Sequence, residues 1–419
     1  MAETNADRRE RVGELVRIAE TDPAALDDRV AELETYLAAD SAYVRRLTAR
    51  AVARLAGADA GAVVPLVDAL AERLPDEAAQ EDAASALGRV AEEDPDAVMA
   101  ELAALVAALD GGGDVLVPAS GALASLAGAD AGTLAQPGIL DRLYDLLSNE
   151  RPAVRGNAAA ALADIAAVDA AAVCSGADDL RARLDDDTAP VRRDAAVALG
   201  TAAPTCPDAV VAAVPRLDAL LDDPDGGVRA AAAYALGHAL RAEGAGQRTV
   251  DVLLDAIDDS ATPVRQHATF ALASLAAEDP DLVRPGVDAL ARRTVDESAA
   301  VRRNARSALA ALEDDYQTVV AEALDDVRAE LEAVDEGTET VPYTATQLRG
   351  LAGDDDAPAD QRAAADHALA LVESGTVSPA STTDKPADPD DTGPRFCPNC
   401  GETVEEGGEF CPACGTTVE

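Results

Sequence analysis

The chain has 419 residues, of which 48% are hydrophobic but only 2% are aromatic, and it contains no Trp. Its apolar residues are mostly Ala, Leu and Val, which argues against a thick globular centre and favours closely spaced helices. We interpret the formal net charge of −45 as a solvated acidic surface, and not as a binding site for basic partners.

The N-terminal residues 1–16 contain no apolar core of the kind that a secretory signal needs. The most apolar stretch, residues 158–174, is interrupted by Asp164 and Asp169, whereas a membrane span needs about 20 apolar residues in succession. The sequence therefore predicts no membrane segment and a cytoplasmic location. In that compartment we expect Cys174 and Cys206 to be free, buried thiols.

A repeat organises the chain from about residue 22 to residue 312. Its anchor residues recur every 35 to 39 positions, which is too regular for chance. The eight anchors are Val44, Ala79, Val115, Val154, Val191, Val228, Val264 and Val301.

Each anchor begins an apolar stripe with helical spacing. Seven residues after the anchor stands Ala in every repeat, and nine residues after it stands only Ala or Gly, as at Gly200 and Gly237. These small residues would let neighbouring helices approach closely. Another helix is predicted before each anchor helix, for example at residues 62–74, 209–221 and 248–259. We call it the leading helix.

Paired helices of this period, with a D-D-x-x-P-V-R-x-x-A-x-x-A-L pattern, resemble HEAT repeats, in particular the prokaryotic type similar to phycobilisome-lyase HEAT-like repeats. The resemblance implies an all-α fold, an α-solenoid of about eight helix-turn-helix repeats. It weakens over residues 313–373, where a cap or a degenerate repeat is expected around Gln361. Two repeats depart from the pattern, because the second lacks the arginine and the third has Pro118 in its first helical turn.

An arginine follows the anchor in six repeats, at Arg45, Arg155, Arg192, Arg229, Arg265 and Arg302. In HEAT families this residue pairs with an acid of the preceding turn, which implies a ladder using Asp187, Asp223, Asp259 and Asp296. The family also places the second helix of each pair on the concave face. Five further arginines are therefore candidates for partner binding, namely Arg46, Arg50, Arg193, Arg303 and Arg306.

Residues 374–394 are rich in Pro, Asp, Ser and Thr, and this composition predicts a disordered linker. The composition divides the chain into a solenoid at 1–373, the linker, and a small module at 395–419.

The small module contains two C-P-x-C-G motifs, with Cys397 and Cys400 in the first and Cys411 and Cys414 in the second. Two-residue spacing suits tetrahedral coordination of zinc by four thiolates. The module resembles a zinc ribbon, with one structural Zn²⁺ and a β-hairpin turning at Gly407 and Gly408. Because four protein ligands leave no open coordination position, the zinc is not expected to be catalytic.

The sequence offers no catalytic set. The three histidines, His238, His267 and His367, are not followed by Glu, which excludes the iron site of HEAT-like deoxyhypusine hydroxylases, and the lack of Trp argues against HEAT-like DNA glycosylases. We predict a non-enzymatic scaffold that binds protein partners. The alternative is a nucleic-acid-associated protein that uses the additional arginines and the ribbon, although the acidic charge and the scarcity of aromatic residues disfavour it.

The balance of 34 basic against 79 acidic residues, with Lys385 as the single lysine, resembles the composition of proteins from extremely halophilic archaea. In about 1 M salt the Debye length is about 3 Å, so charges do not steer distant partners. We therefore expect a halophilic archaeal protein whose net charge says little about what it binds.

Overall fold

A computed structural model describes residues 5–239, 246–335, 338, 340–380, 395–396 and 403–404. The chain divides into two compact units. Unit 1 contains residues 1–180 together with 392–419, and unit 2 contains residues 181–391.

Unit 1 is built from twelve described helices, the last of which continues three residues into unit 2. Short 3₁₀ segments precede or follow several of them. The helices are α1 (Asn5–Thr21), α2 (Val30–Leu37), α3 (Ala42–Ala58), α4 (Val67–Ala71), α5 (Gln80–Glu93), α6 (Pro95–Met99), α7 (Leu102–Ala108), α8 (Leu116–Leu134), α9 (Pro137–Leu146), α10 (Pro152–Val168), α11 (Ala170–Val173) and α12 (Ala177–Arg183).

Unit 2 contains the remaining described helices, and two short strands lie in the C-terminal module. The helices are α13 (Ala189–Ala202), α14 (Pro207–Val211), α15 (Val214–Leu220), α16 (Gly226–Ala239), α17 (Gln247–Ala256), α18 (Thr262–Glu278), α19 (Pro280–Val283), α20 (Val287–Arg293), α21 (Ala299–Glu332), α22 (Ala345–Ala352) and α23 (Ala359–Glu373). The strands are β1 (Arg395–Phe396) and β2 (Thr403–Val404).

The anchor helices stack in sequence order, as an α-solenoid requires. In unit 1, α3 packs on α5, α5 on α8 and α8 on α10, and in unit 2, α13, α16, α18 and α21 do the same. All eight anchors are buried, and so are all eight alanines seven residues on. Leading helices such as α2, α9 and α17 pack on the anchor helix that follows them. The predicted α-solenoid is confirmed.

Close helix approach depends on the glycines nine residues after the anchor. A Cβ atom on Gly200 would lie 2.7 Å from the Cα of Ala235, and one on Gly237 would lie 3.2 Å from the Cβ of Ala271. No side chain fits at Gly200 without a shift of the neighbouring backbone. The small positions therefore act as predicted and bring α13, α16 and α18 together.

Two of the three predicted leading helices are broken. Residues 62–74 form a 3₁₀ segment that contains Pro65 and then the short helix α4. Residues 209–221 divide into α14 and α15, with Pro215 in the first turn of α15. Proline lacks the N–H that a continuous helix would use and clashes with the preceding turn. The prediction of one helix per segment is confirmed only at 248–259, where α17 lies.

A further helix pair follows the eighth repeat in unit 2. Helix α21 runs on to Glu332 with non-helical backbone at Tyr316, so about one helix length of chain is inserted before the next pair. Helices α22 and α23 then form that pair, with Gln361 buried at the anchor position. The residue predicted to mark a degenerate repeat or cap thus belongs to a helix pair of the repeat type.

Residues beyond 373 also pack within unit 2. Ser378 forms a parallel bridge with Thr340, the N–H of Ala380 donates to the carbonyl oxygen of Tyr343, and Val377 is buried. Residues 374–380 therefore pack on the solenoid, although the composition assigns them to the linker. Residues 381–394 of that linker lie outside the described residues.

One segment passes a length and composition test for a membrane span, contrary to expectation. Residues Gly113–Leu134 are long and apolar enough, and half of the tested window is buried. Its helix α8 packs between α5 and α10 as one anchor helix of the array. Burial between repeats accounts for its apolar character.

Cys174 and Cys206 are both disulfide-bonded. Both residues are half-buried, so the expectation of free, buried thiols is wrong. Because disulfides are uncommon in a reducing cytosol, the cysteines give no support to the predicted cytoplasmic location.

Candidate partner-binding surfaces and metal centre

The arginines that follow the anchors form a ladder along the stack, but they pair in the opposite direction from the prediction. The Nε of Arg229 donates to the carboxylate of Asp259 at 2.6 Å, and Asp259 lies in the turn of the following repeat. In its own preceding turn, Arg229 contacts the carbonyl oxygen of Asp223 at 2.8 Å. Each such arginine therefore joins two consecutive turns.

Four more of the arginines that follow an anchor are arranged in the same way. The Nε atoms donate to the carboxylate of the next turn in the pairs Arg45–Asp76 (2.5 Å), Arg192–Asp223 (2.8 Å), Arg265–Asp296 (2.9 Å) and Arg302–Asp354 (2.6 Å). The last pair spans the inserted chain and joins the eighth repeat to the turn between α22 and α23.

The ladder carboxylate also fixes its own turn. Asp223 accepts the backbone N–H of Asp225, and Asp296 accepts that of Ser298. In the turn before α13 this position is held by Asp186, which accepts the N–H of Thr188. The prediction named Asp187 instead, one residue too far along the chain.

Two of the five candidate partner-binding arginines take part in internal pairs. Arg193 forms a bidentate contact with its neighbour Asp194, at 2.7 and 3.2 Å. Arg306 shares Asp354 with Arg302, at 3.0 Å. Burial alone would raise the pKa of Asp354, but hydrogen bonds from the two arginines hold it below its ordinary value.

The other three candidates, like Arg193, are exposed: they are Arg46 and Arg50 on α3, and Arg303 on α21. Among the described residues, none of the three forms an ion pair. Arg46 and Arg50 lie one helical turn apart in unit 1, whereas Arg303 lies in unit 2.

Arg46 and Arg50 belong to a larger basic surface. Tyr43 is 44% exposed, and its ring lies 5.4 Å from the guanidinium carbon of Arg9 on α1 and 5.8 Å from that of Arg46. Arg54 continues the row one turn beyond Arg50 and pairs with Glu20 at 3.5 Å. We call Arg9, Tyr43, Arg46, Arg50 and Arg54 the α3 basic surface.

The carboxyl group of Asp82 on α5 borders this surface. Burial is the largest influence on it and raises its pKa to about 6, with the charge of Glu81 acting in the same direction. The positive charges of Arg50, Arg54 and Arg46 oppose that rise without cancelling it. At neutral pH the ionised carboxylate of Asp82 therefore destabilises the folded protein.

An aromatic cluster in unit 2 was missed by the sequence reasoning. The ring of Tyr234 lies 4.6 Å from that of His238 and 5.5 Å from that of His267, and His238 lies 6.0 Å from Phe270. All four side chains are half-buried. We call these four residues the aromatic cluster.

The glycines of the repeat make room for the aromatic cluster. The nearest side-chain atom to a Cβ built on Gly200 belongs to the ring of Tyr234, at 2.9 Å, and Phe270 lies 3.5 Å from one built on Gly237. The Tyr234 hydroxyl is also 3.2 Å from that of Thr201. Burial, and then the charge of His238, lowers the pKa of His267, so this ring is favoured in its neutral form.

The predicted zinc ligands Cys397, Cys400, Cys411 and Cys414 lie outside the described residues, as does the predicted turn at Gly407 and Gly408. The strands that are described pair in antiparallel register, Arg395 with Val404 and Phe396 with Thr403. They therefore flank the first C-x-x-C motif. The donor set of four soft thiolates fits a tetrahedral zinc site.

Elsewhere in the described part of the chain, no group of three or more His, Cys, Asp or Glu side chains could hold a metal ion.

Three family models match separate parts of the chain. HEAT repeats match residues 177–273, non-SMC mitotic condensation complex subunit 1 matches residues 227–344, and a zinc-ribbon domain matches residues 396–418. The chain thus contains HEAT repeats and a zinc-ribbon domain. A comparison with curated proteins finds no significant match.

Among solved structures, a crystal structure of an engineered protein aligns with a TM-score of 0.67 at 24% identity. The alignment covers 89% of this chain and 97% of that one. At this identity the likeness shows the solenoid fold alone.

Proposed function

We propose that this chain is a non-enzymatic scaffold that binds protein partners within a larger assembly. HEAT repeats are typical of interaction scaffolds, and the match to a subunit of a condensation complex is in keeping with such a role. In this proposal the solenoid supplies the main binding surface. The ribbon supplies a second contact, folded around one structural Zn²⁺ held by the four cysteines.

The aromatic cluster is the observation that carries the proposal. The whole chain has only three Phe, six Tyr and three His, yet four of these rings meet on neighbouring anchor helices. Aromatic residues are enriched at the centres of protein interfaces because they bury a large area with few rotatable bonds. Half-buried rings among small residues are a suitable anchor for a partner side chain.

A tethered ribbon would strengthen such binding. If residues 381–394 are as flexible as their composition predicts, the second contact becomes intramolecular once the first has formed. Two modest contacts can then give stable recruitment. We further propose the cytoplasmic location and the halophilic archaeal source that the sequence predicts. The acidic, lysine-poor composition supports the source, whereas the disulfide-bonded cysteines do not support the location.

The alternative role in nucleic-acid association loses part of its basis. Of its three arginines in unit 2, Arg193 pairs with Asp194 and Arg306 pairs with Asp354. Arg303 forms no ion pair among the described residues, so the groups left for a phosphate backbone are Arg303 in unit 2 and Arg46 and Arg50 with their neighbours in unit 1.

Isolation of the tagged full-length chain from its own cells, in buffer of native salt content, tests the proposal. We expect it to elute in an assembly much larger than its 42.6 kDa mass, with one or more proteins in constant ratio. The double variant Tyr234→Ala/Phe270→Ala should lose them. Val168→Ala, which alters an exposed apolar residue of unit 1 (67% exposed), is the matched control and should keep them.

Circular dichroism would first verify that both variants fold. Elution of the wild-type chain as an isolated monomer at every salt concentration would contradict the scaffold role. Equal recovery of partners by both variants would show that the aromatic cluster is not the site that binds them.

A further inference from the structure

The α3 basic surface stands apart from the other described arginines. Most of those are committed to carboxylates of the chain itself, as in the ladder, whereas Arg46 and Arg50 have no carboxylate within ion-pair distance among the described residues. Arg9 and Arg46 instead lie against the exposed ring of Tyr43. A guanidinium held against an aromatic ring keeps its fork of donors free for a ligand.

We infer that the α3 basic surface is the docking site for an acidic helical segment of a protein partner. This inference rests on the proposed scaffold function and names the chemistry of one partner. Charge complementarity carries it, because the surface gathers four arginines in a chain that has 79 acidic residues and only 34 basic ones.

The spacing of the arginines favours a helix as the ligand. Arg46 and Arg50 are four residues apart on α3, and side chains so spaced lie on one face about one turn apart. Arg54, one turn further on, is already paired with Glu20. A partner helix with Glu or Asp at the same interval would present its carboxylates in matching positions. Arginine and carboxylate can then pair through two parallel hydrogen bonds.

The acids at the edge of the surface disfavour a nucleic acid. Glu20 already occupies Arg54, and Asp82 borders the row from α5. A phosphate backbone carries a charge at every nucleotide and would meet these carboxylates, whereas a helix can place neutral residues opposite them. Tyr43 is also a single exposed ring between two guanidiniums, which does not form a row of stacking platforms for successive bases.

Fluorescence anisotropy with the full-length protein tests the inference. The probes are a helical peptide with glutamates one turn apart on one face, its glutamine counterpart, and a single-stranded oligodeoxynucleotide of equal charge. We expect the glutamate peptide to bind most tightly. The double variant Arg46→Glu/Arg50→Glu should weaken its binding at least about tenfold, equivalent to about 1.4 kcal/mol.

The control is Arg292→Glu, an exposed arginine on α20 that changes the net charge by the same amount per site and should leave peptide binding unchanged. Tyr43→Ala provides a second variant without charge change and should weaken binding less than the double variant does.

Three results would overturn the inference. The first is no preference for glutamate over glutamine, the second is equal weakening by Arg292→Glu, and the third is tighter, Arg50-dependent binding of the oligodeoxynucleotide. Recovery of the intact assembly from cells that carry the double variant would also reject this docking site while leaving the scaffold function standing. If no partner were recovered with the wild-type chain, the scaffold function itself would be rejected.

Discussion

Arg265 and Asp296 of consecutive repeats form a bidentate pair, in which Nε–Oδ2 and Nη2–Oδ1 are 2.9 and 3.1 Å apart. Only 7% of the arginine side chain and 1% of the aspartate side chain are exposed. Arg216 and Asp185 are also 31 residues apart and 2.7 Å distant, but their side chains are 45% and 65% exposed. The same pairing of residue types thus occurs in two very different surroundings.

We expect Arg265→Ala to destabilise the protein, because the buried Asp296 then keeps only Arg293, at 3.2 Å, as a counter-charge. Loss of the sole partner of a buried pair costs about 3–5 kcal/mol, which sets the upper limit for this variant. Arg216→Ala is the matched control, for which an exposed pair predicts about 0–1 kcal/mol. Urea unfolding followed by circular dichroism measures both values. Equal effects would mean that burial does not govern the strength of the ladder.

Substitution at Gly200 should also be costly. In Gly200→Ala the new methyl group would meet the backbone of α16 at 2.7 Å, and overpacking of this kind costs about 1–3 kcal/mol. Gly13→Ala on α1 is the control, since no atom lies within 4 Å of the added carbon. It should raise stability by about 0.5–1 kcal/mol, because alanine is the better helix former. If Gly200→Ala left the free energy of unfolding unchanged, the neighbouring helices would be free to move apart.

The carboxyl group of Asp82 should give stability a defined pH dependence. Its pKa in the folded protein is about 6 against about 3.9 when unfolded, so the folded state binds the proton more tightly. Its contribution to stability is then favourable at low pH and is lost as the pH rises from about 4 through 6. We expect Asp82→Asn to melt at a higher temperature than the parent at neutral pH.

Below about pH 3 the carboxyl group of Asp82 is protonated in both the folded and the unfolded state, and the two melting temperatures should converge. Thermal unfolding across this pH range checks the prediction. A difference that stayed constant with pH would contradict the raised pKa.

The ribbon should bind one zinc ion for each chain. Because a module of this size folds on metal binding, Cys397→Ser or Cys414→Ser should abolish stoichiometric zinc in the full-length protein. Glu402→Gln, in the same module, should retain it. Native mass spectrometry with elemental analysis gives the count, and zinc kept by both serine variants would reject the four-cysteine assignment.

The repeat could be read from the sequence because burial acts at fixed positions. Anchors such as Val228 and alanines such as Ala235 recur since each helix must present a narrow apolar stripe to its neighbours. Breaks in the leading helices were less predictable. Pro215 is compatible with the first turn of a helix, and only the packing decides that α15 begins there.

The direction of the ladder could not be predicted from spacing. Asp223 and Asp259 flank the helix of Arg229 at both sides in sequence, and each is an acid in a turn. Which carboxylate the guanidinium reaches depends on the offset between stacked repeats, which is a three-dimensional quantity. The resemblance supplied the existence of the pairing but assigned it to the wrong turn.

The aromatic cluster was missed because no single member departs from the helical pattern of its own repeat. Tyr234 and Phe270 each stand six residues after an anchor, and each lies over the glycine nine residues after the preceding anchor. A comparison of those two positions across successive repeats would have found it. The α3 basic surface was predicted in part, since Arg46 and Arg50 were chosen but Tyr43 and Arg9 were not.

The arginine ladder is interrupted, and the interruption should affect how the array unfolds. In the second and third repeats the ladder arginine is replaced by Gln80 and Leu116. Arg151 partly substitutes between α8 and α10 by contacting Asp114 and the carbonyl oxygen of Gly113. The α5–α8 junction has no ladder arginine. In a one-dimensional array, cooperativity passes through such junctions, so native-state hydrogen exchange should place a boundary between two separately unfolding segments there.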